Sequence, residues 1–202
     1  MANVDHRYGL LPVMHLNGNP WNGQTWRCRV DSTAGDLGVG DAVYANGSGS
    51  GGYPEVQGTT VGHTNSAGYN IFGVITSIEP DPNHLDRLYI ASADSGWVHV
   101  CIDPDVIYKI QANGVVGSDD IFQNADLVAD HTIDTTTGIS GMELNATTNV
   151  GSNYQLKILG GDVRPDNDLT LTHADWLVII NRHQLRVIDA DLAESSVGVL
   201  GV

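Results

Sequence analysis

Short apolar runs, interrupted every few residues by glycine, proline or aspartate, constrain this chain more than any other feature. Trp26–Val30, Val106–Gln111 and Trp176–Ile180 are rich in β-branched and aromatic residues and have the length of strands. Long stretches with the apolar spacing of an amphipathic helix are scarce. The pattern therefore predicts a mainly β fold, a β-sandwich or a barrel with a jelly-roll-like arrangement.

Further strands are predicted at 71–78, 88–92, 97–102, 141–144 and 154–159, with a turn entering another strand at 38–44. Residues 46–69 contain seven glycines and several Ser, Thr and Asn, which predicts a long Gly-rich surface loop. One short helix is predicted after Ser118, which can serve as its N-cap. The apolar residues that would share one face of this helix are Ile121, Phe122, Ala125 and Val128.

The first residues of the chain suggest an appendage to the β-rich part. Residues 1–19 are polar, with Gly and Pro placed around a few apolar side chains, so we expect an extended N-terminal arm rather than a helix. An edge strand of the same domain explains the pattern equally well. Residues 20–202 then form the β-rich domain, in which residues 102–114 could connect two strand layers. The arm residues predicted to contact another subunit are Leu10, Leu11, Pro12 and Met14.

The charge balance excludes some partners. The chain has 24 acidic and 9 basic residues, a net charge of −15. Because nucleic-acid affinity comes largely from Lys and Arg displacing counterions, direct binding to DNA or RNA is not expected. No apolar run has the length needed to span a membrane. Cys28 and Cys101 fit no zinc spacing and are expected to be core residues of a protein made in a reducing cytoplasm.

Motifs for catalysis are absent from the sequence. The glycine-flanked Ser48 and Ser50 do not form a nucleophile elbow, and the eight histidines include no HxH or HExxH motif. Asp162, Asp166 and Asp168 could chelate calcium, but Asp in turns usually bonds the local backbone. We therefore predict no catalytic, cofactor-binding or metal-binding residue. A glycosidase with two carboxylates distant in sequence is the open alternative.

Trp21 is a candidate for an interface. It lies in the turn-like run Asn19-Pro20-Trp21-Asn22-Gly23, whereas Trp97 and Trp176 lie inside predicted strands and are expected in the core. Tryptophan is enriched among the residues that dominate binding energy in protein interfaces.

An ordered series of motifs connects the chain to a known family. The motifs are Tyr108-Lys109-Ile110-Gln111, Asn124-Ala125-Asp126-Leu127, Thr135 to Leu144, Leu156-Lys157-Ile158, Arg164-Pro165-Asp166-Asn167 and Ile180 to Gln184. In this order they resemble the head decoration, or cement, proteins of tailed bacteriophages. Gly9-Leu10-Leu11-Pro12, Gly40-Asp41-Ala42-Val43 and Phe72-Gly73-Val74 are also similar to that family. The resemblance spans most of the chain, and its second half is the more specific.

The resemblance implies a structural virion protein and no enzyme. Such a protein, made in the host cytoplasm, binds the outer surface of the capsid as a homotrimer and clamps neighbouring major capsid protein subunits around the packed DNA. Arg164 then becomes a candidate partner for a capsid carboxylate. Two alternatives stay open: a glycan-binding module, in which Trp21 and the Gly-rich segment meet a host glycan, and a glycan-active hydrolase of the virion.

Overall fold

The computed structural model describes residues 3–59, 70–128, 133–150 and 154–186, and it is almost all β, with 43% strand and 2% helix. The mainly β prediction is thus confirmed. The strands are β1 Leu11–His15, β2 Trp26–Val30, β3 Ala42–Ser50, β4 Tyr53–Gly58, β5 Gly73–Ile78, β6 Trp97–Cys101, β7 Val106–Gln111, β8 Asn124–Leu127, β9 Leu144–Asn149, β10 Leu156–Gly161 and β11 Asp175–Ile180. No helix among the described residues has the length and apolarity required for a membrane crossing.

The strands form two units. β2 to β6 close into a barrel in the order β2-β4-β3-β5-β6, and the other six form an open sheet in the order β1-β7-β11-β10-β8-β9. All neighbouring strands run antiparallel except β2 and β4, which are parallel. The barrel is therefore inserted between the first and second strands of the open sheet. The chain leaves the barrel after Cys101 and enters the sheet at Val106, within the 102–114 stretch.

One hydrophobic core joins the barrel to the sheet. Ala42, Val74 and Cys101 from barrel strands pack in the same cluster as Tyr108 and Trp176 of the open sheet. A second cluster fills the barrel itself and includes Cys28, Val30, Val43, Ile75 and Val100. Burying a large apolar side chain contributes about 1.5–3 kcal/mol, so the shared cluster couples the two units strongly.

Burial alternates along β7, which explains why the sequence predicted this strand clearly. Val106, Tyr108 and Ile110 are fully buried, and the intervening Ile107 and Lys109 are half-buried on the opposite side. Such period-two burial is what a sheet with one face on a core requires.

The two cysteines are both free and buried, as expected for core residues. Burial raises the pKa of the Cys28 thiol to about 12 and also raises the pKa of Cys101. Both side chains are therefore neutral thiols at physiological pH.

The Gly-rich segment differs from the expected long loop. β3 continues to Ser50 and pairs with β4, so the segment up to Gly58 is largely a hairpin. Its turn is formed by Gly51 and Gly52, whose φ angles of 62° and 86° are readily adopted only by glycine. Residues 60–69 of the expected loop lie outside the described residues.

The predicted helix is wrong beyond its first turn. A short 3-10 helix spans Ser118–Asp120 with Gly117, rather than the predicted Ser118, at its N-cap, and Ala125 lies in β8. The Phe122 N–H donates to the carbonyl of Ile158 at 2.8 Å, and the Ile158 N–H donates to the Gln123 carbonyl at 3.0 Å. Hydrogen bonding to β10 therefore replaces the helical bonds that the local apolar spacing favoured.

Two predicted strands are also corrected. Residues 88–92 form no ladder and make a single bridge, between Ile90 and Leu37. The strand expected at 141–144 begins only at Leu144, where β9 pairs with β8. Short apolar runs of this kind can be buried by packing alone, without a strand neighbour.

Residues 3–19 lie on their own domain, as the edge-strand alternative proposed. Leu10 is buried in the shared core and β1 pairs with β7. Ahead of β1, Asn3 donates from Nδ2 to the carbonyls of Asp168 and Thr172 at 2.9 and 3.0 Å. Asn3 is thereby fastened to the loop that precedes β11.

Candidate functional site

The open sheet has one face turned away from the shared core, which we call the outer face. Its members are Leu11, Met14, Ile107, Lys109, Lys157, Leu177 and Ile179. Strand register places them in two rows, because directly paired residues project to the same side of a sheet. One row runs Met14, Ile107, Ile179, Lys157 and the other Leu11, Lys109, Leu177. Leu11 is 48% exposed, and most of the others are half-buried.

Both lysines of the chain lie on this outer face. The Lys109 Nζ is 3.8 Å from an Asp162 carboxylate oxygen and 5.6 Å from the centre of the Tyr8 ring. Lys157 donates from Nζ to the carbonyl of Phe122 at 3.3 Å. These contacts hold the aliphatic stems along the sheet. An apolar surface with lysines is thus embedded in a protein of net charge −15.

An ion-pair network closes one end of the outer face. The Arg164 guanidinium lies 3.1 Å from Asp162 and 3.4 Å from Asp166, and it also contacts the buried Asp175. The Tyr8 hydroxyl donates to the other oxygen of Asp175 at 2.6 Å, and burial, followed by this bond, raises the Tyr8 pKa. Arg164 therefore neutralises carboxylates of its own chain.

The network also bears on the calcium hypothesis. Asp162 and Asp166 are paired with a guanidinium, and the Asp168 carboxylate accepts the N–H and hydroxyl of Thr170. The three carboxylates do not converge on one point, and their partners explain their presence in these turns.

The sequence-predicted contact residues separate into three places. Leu11 and Met14 belong to the outer face, and Pro12 is half-buried on β1. Leu10 lies in the shared core, and the Trp21 side chain packs against that core. The backbone N–H of Trp21 donates to the Val13 carbonyl at 3.1 Å. The remaining candidate, Arg164, forms an ion pair with Asp162, and the same carboxylate lies near Lys109. The other outer-face residues were missed, because each looks like an ordinary strand residue until the register is known.

The barrel carries a separate cleft beside β6. Its lining includes aromatic, proline and acidic side chains: Trp97, Tyr89, Pro80, Pro82, Glu79, Asp81 and Asp94. The Arg27 guanidinium stacks over Trp97 at 3.9 Å and binds Glu79 through two hydrogen bonds of 2.6 and 2.7 Å. The bond from Arg27 lowers the pKa of Glu79.

A buried Ser–Asp pair lies where the barrel meets the sheet. The Ser140 hydroxyl donates to Asp41, whose other oxygen accepts the Gly38 N–H at 2.7 Å. Burial raises the Asp41 pKa to about 6. Both side chains are fully enclosed, so the pair joins two segments of backbone and offers no accessible nucleophile.

One group of side chains among the described residues has the composition of a metal site: Asp5, Glu143 and His173. Sequence inspection missed this group, because its members come from three distant segments and no local spacing connects them.

Neither a family model, nor a curated protein, nor a solved structure matches this chain.

Proposed function

We propose that this protein is a structural virion protein that binds the outer surface of a phage capsid and clamps neighbouring major capsid protein subunits. The observation that carries the proposal is the outer face, where aliphatic side chains and both lysines are collected in an acidic protein. The ordered motifs that resemble cement proteins supply the identity of the partner. No catalytic role is part of the proposal.

The composition of the outer face suits a protein partner. Interface centres are depleted in charge and rich in apolar side chains, with polar groups at the rim. Leu11, Ile107 and Leu177 would provide the apolar centre, and Lys109 and Lys157 would meet acidic groups of the capsid. The protein has a net charge of −15, so most of its surface repels acidic groups of the capsid. The outer face, which carries both lysines, is the surface that can approach them.

Clamping requires many copies acting together. Capsids present the same surface repeatedly, so modest affinity at each contact is multiplied when subunits are linked. We propose a homotrimer for this reason, since closed symmetric assembly joins identical surfaces with defined geometry.

A pair of leucine variants tests the outer face. Leu11→Asp places a carboxylate among its apolar side chains, and Leu88→Asp introduces the same change at a similarly exposed position, 48% against 55%, outside the outer face. We expect Leu11→Asp to reduce cosedimentation with capsids lacking the protein at least about tenfold, equivalent to 1.4 kcal/mol. Leu88→Asp should bind like the wild type. Equal binding of all three proteins would refute the assignment of this face.

Particle stability provides the functional readout. Virions without the protein should release their DNA at a lower temperature than complete virions, and added wild-type protein should restore the difference. Added Leu11→Asp should restore it poorly. Identical release temperatures with and without bound wild-type protein would exclude a clamping role.

The barrel cleft favours one second candidate, a glycan-binding module. Sugars are bound by aromatic rings together with carboxylates, and this cleft offers Tyr89, Trp97 and Asp94. Glycan-array binding that Tyr89→Ala abolishes and the exposed Trp26→Ala retains would support it. A hydrolase is less well supported, because its acid catalyst needs a raised pKa whereas the pKa of Glu79 is lowered.

A further inference from the structure

Three potential metal ligands converge beside the end of the open sheet. One ligand atom each from Asp5, Glu143 and His173 lies within 4.8 Å of the other two. The Nδ1 of His173 is already 3.7 Å from the Asp5 Oδ1. The group combines two carboxylates with one imidazole.

Two of these side chains have buried atoms without a hydrogen-bond partner. Glu143 is only 2% exposed, and its Oε1 is unpaired within the described part of the chain. The buried Nδ1 of His173 has no hydrogen-bond partner there either. Buried polar atoms are almost always satisfied in native proteins. A buried carboxylate oxygen and a buried imidazole nitrogen, both without partners and both beside the Asp5 carboxylate, therefore indicate a ligand with positive charge.

A buried glutamine holds this arrangement in place. The Gln111 Nε2 donates to the carbonyls of Val4 and His173 at 2.9 and 3.1 Å, and its Oε1 accepts the N–H of His6 at 2.9 Å. The backbones on both sides of Asp5 and at His173 are thus tied to the end of β7. The supporting residues orient the ligands in the way that outer hydrogen bonds do in metal sites.

We propose that Asp5, Glu143 and His173 form a binding site for a divalent transition metal ion, with Zn²⁺ as the best-suited probe. An imidazole nitrogen with two carboxylates suits Zn²⁺ better than Ca²⁺ or Mg²⁺, which prefer oxygen ligands alone. Bonds of about 2.1 Å place tetrahedral ligand atoms about 3.4 Å apart. The half-exposed Asp5 can make the small movement that this requires, and water would complete the coordination.

Arg7 is the competitor of the metal ion. Its Nε lies 3.2 Å from the Glu143 Oε2 and 3.6 Å from the Asp5 Oδ1. A guanidinium in that position neutralises the same carboxylates and repels a second cation. Because the Arg7 side chain is 43% exposed, it can swing into solvent when the metal binds. If the group is a metal site, removing Arg7 should strengthen metal binding. If the carboxylates serve only as ion-pair partners of Arg7, it should not.

The test is calorimetric titration of the full untagged chain with Zn²⁺, supported by the visible absorption of bound Co²⁺. We expect one equivalent to bind through this site. Asp5→Asn and His173→Gln should each weaken binding at least about tenfold, the lower limit for losing even a supporting residue. Arg7→Ala should strengthen binding. The exposed His84 is the matched histidine control, and His84→Ala should bind like the wild type.

Several results would overturn the site. These are no Zn²⁺ binding, binding lost in His84→Ala but retained in Asp5→Asn, or binding weakened by Arg7→Ala. Near-UV circular dichroism of each variant without metal shows that it is folded, and the exposed Asp5 makes Asp5→Asn the variant with least effect on folding. Capsid binding is measured separately, so failure here leaves the proposed function intact.

Discussion

Two buried ionisable residues make opposite contributions to the pH dependence of stability. Burial raises the Asp41 pKa to about 6, although its bonds from Ser140 and Gly38 favour the charged form. Burial lowers the pKa of His183 to about 4, with a smaller contribution from nearby Arg186 that Asp103 and Asp105 oppose. The His183 Nδ1 accepts the Leu185 N–H at 3.1 Å, as only a neutral ring can.

The signs follow from proton binding in the two states. Between about pH 4 and 6, native Asp41 holds a proton that the unfolded chain has lost, so its contribution to stability falls as pH rises. Between about pH 4 and 6.5, unfolded His183 binds a proton that the native state excludes, so its contribution rises with pH. Each contribution is on the order of 3 kcal/mol.

Substitution of each residue should therefore change the pH profile in opposite directions. The quantity to compare is the free energy of unfolding at pH 7 minus that at pH 4, from urea titrations. His183→Asn, whose Oδ1 can still accept the Leu185 N–H, should make this difference more negative by up to about 3 kcal/mol. Asp41→Asn should make it more positive by a similar amount. Shifts of the same sign in both variants would contradict the assignment.

At the scale of elements, close strand contacts depend on one glycine of the barrel. A Cβ on Gly73 of β5 would lie 2.3 Å from the carbonyl oxygen of Cys101 and 2.6 Å from a methyl group of Val100, both on β6. A Cβ on Gly160 of β10 would meet no atom within 4 Å. Lack of space therefore requires glycine at position 73 but not at position 160.

Alanine at these two positions gives a matched pair. Gly73→Ala should destabilise the protein by about 3 kcal/mol or slightly more, because the backbone of two strands must move apart. Gly160→Ala should change stability by less than about 1 kcal/mol, since restricting the unfolded chain offsets minor losses. Urea unfolding measures both, and equal destabilisation would show that β5 and β6 separate easily.

The sequence predicted an element well where apolar, branched or aromatic side chains specify the strand, and poorly where backbone hydrogen bonds do. β2 and β7 were predicted with their observed bounds, because branched and aromatic residues fill them. The β3–β4 hairpin was missed, since backbone bonds and glycine turns build it rather than apolar side chains. Of the candidate surface, Leu11 and Met14 were identified, but their neighbours on β7 and β11 come together only through strand register.

At the scale of the whole molecule, barrel and sheet share a hydrophobic core, so we expect them to unfold cooperatively. The shared cluster buries Val74 of the barrel and Tyr108 of the sheet together. Because the barrel is inserted between β1 and β7, its two chain connections are fixed by neighbouring strands of the sheet. Opening the barrel alone would expose much of this apolar cluster to water.

Native-state amide hydrogen exchange tests this coupling. We expect the slowest amides of β5 in the barrel and β11 in the sheet to exchange with the same opening free energy, equal to that of global unfolding. The fastest-exchanging residues of both strands provide the internal reference for local opening. A barrel that opens at a free energy lower by more than about 1 kcal/mol would instead behave as a separate folding unit.

The burial of both thiols has a practical consequence for labelling. Cys28 and Cys101 are enclosed and protonated, so maleimides and disulfide reagents should leave the native protein unmodified. A single cysteine engineered in place of Leu11 would then be the only reactive thiol. A fluorophore or a photo-crosslinker attached there would report directly which surface of an assembled particle the outer face contacts.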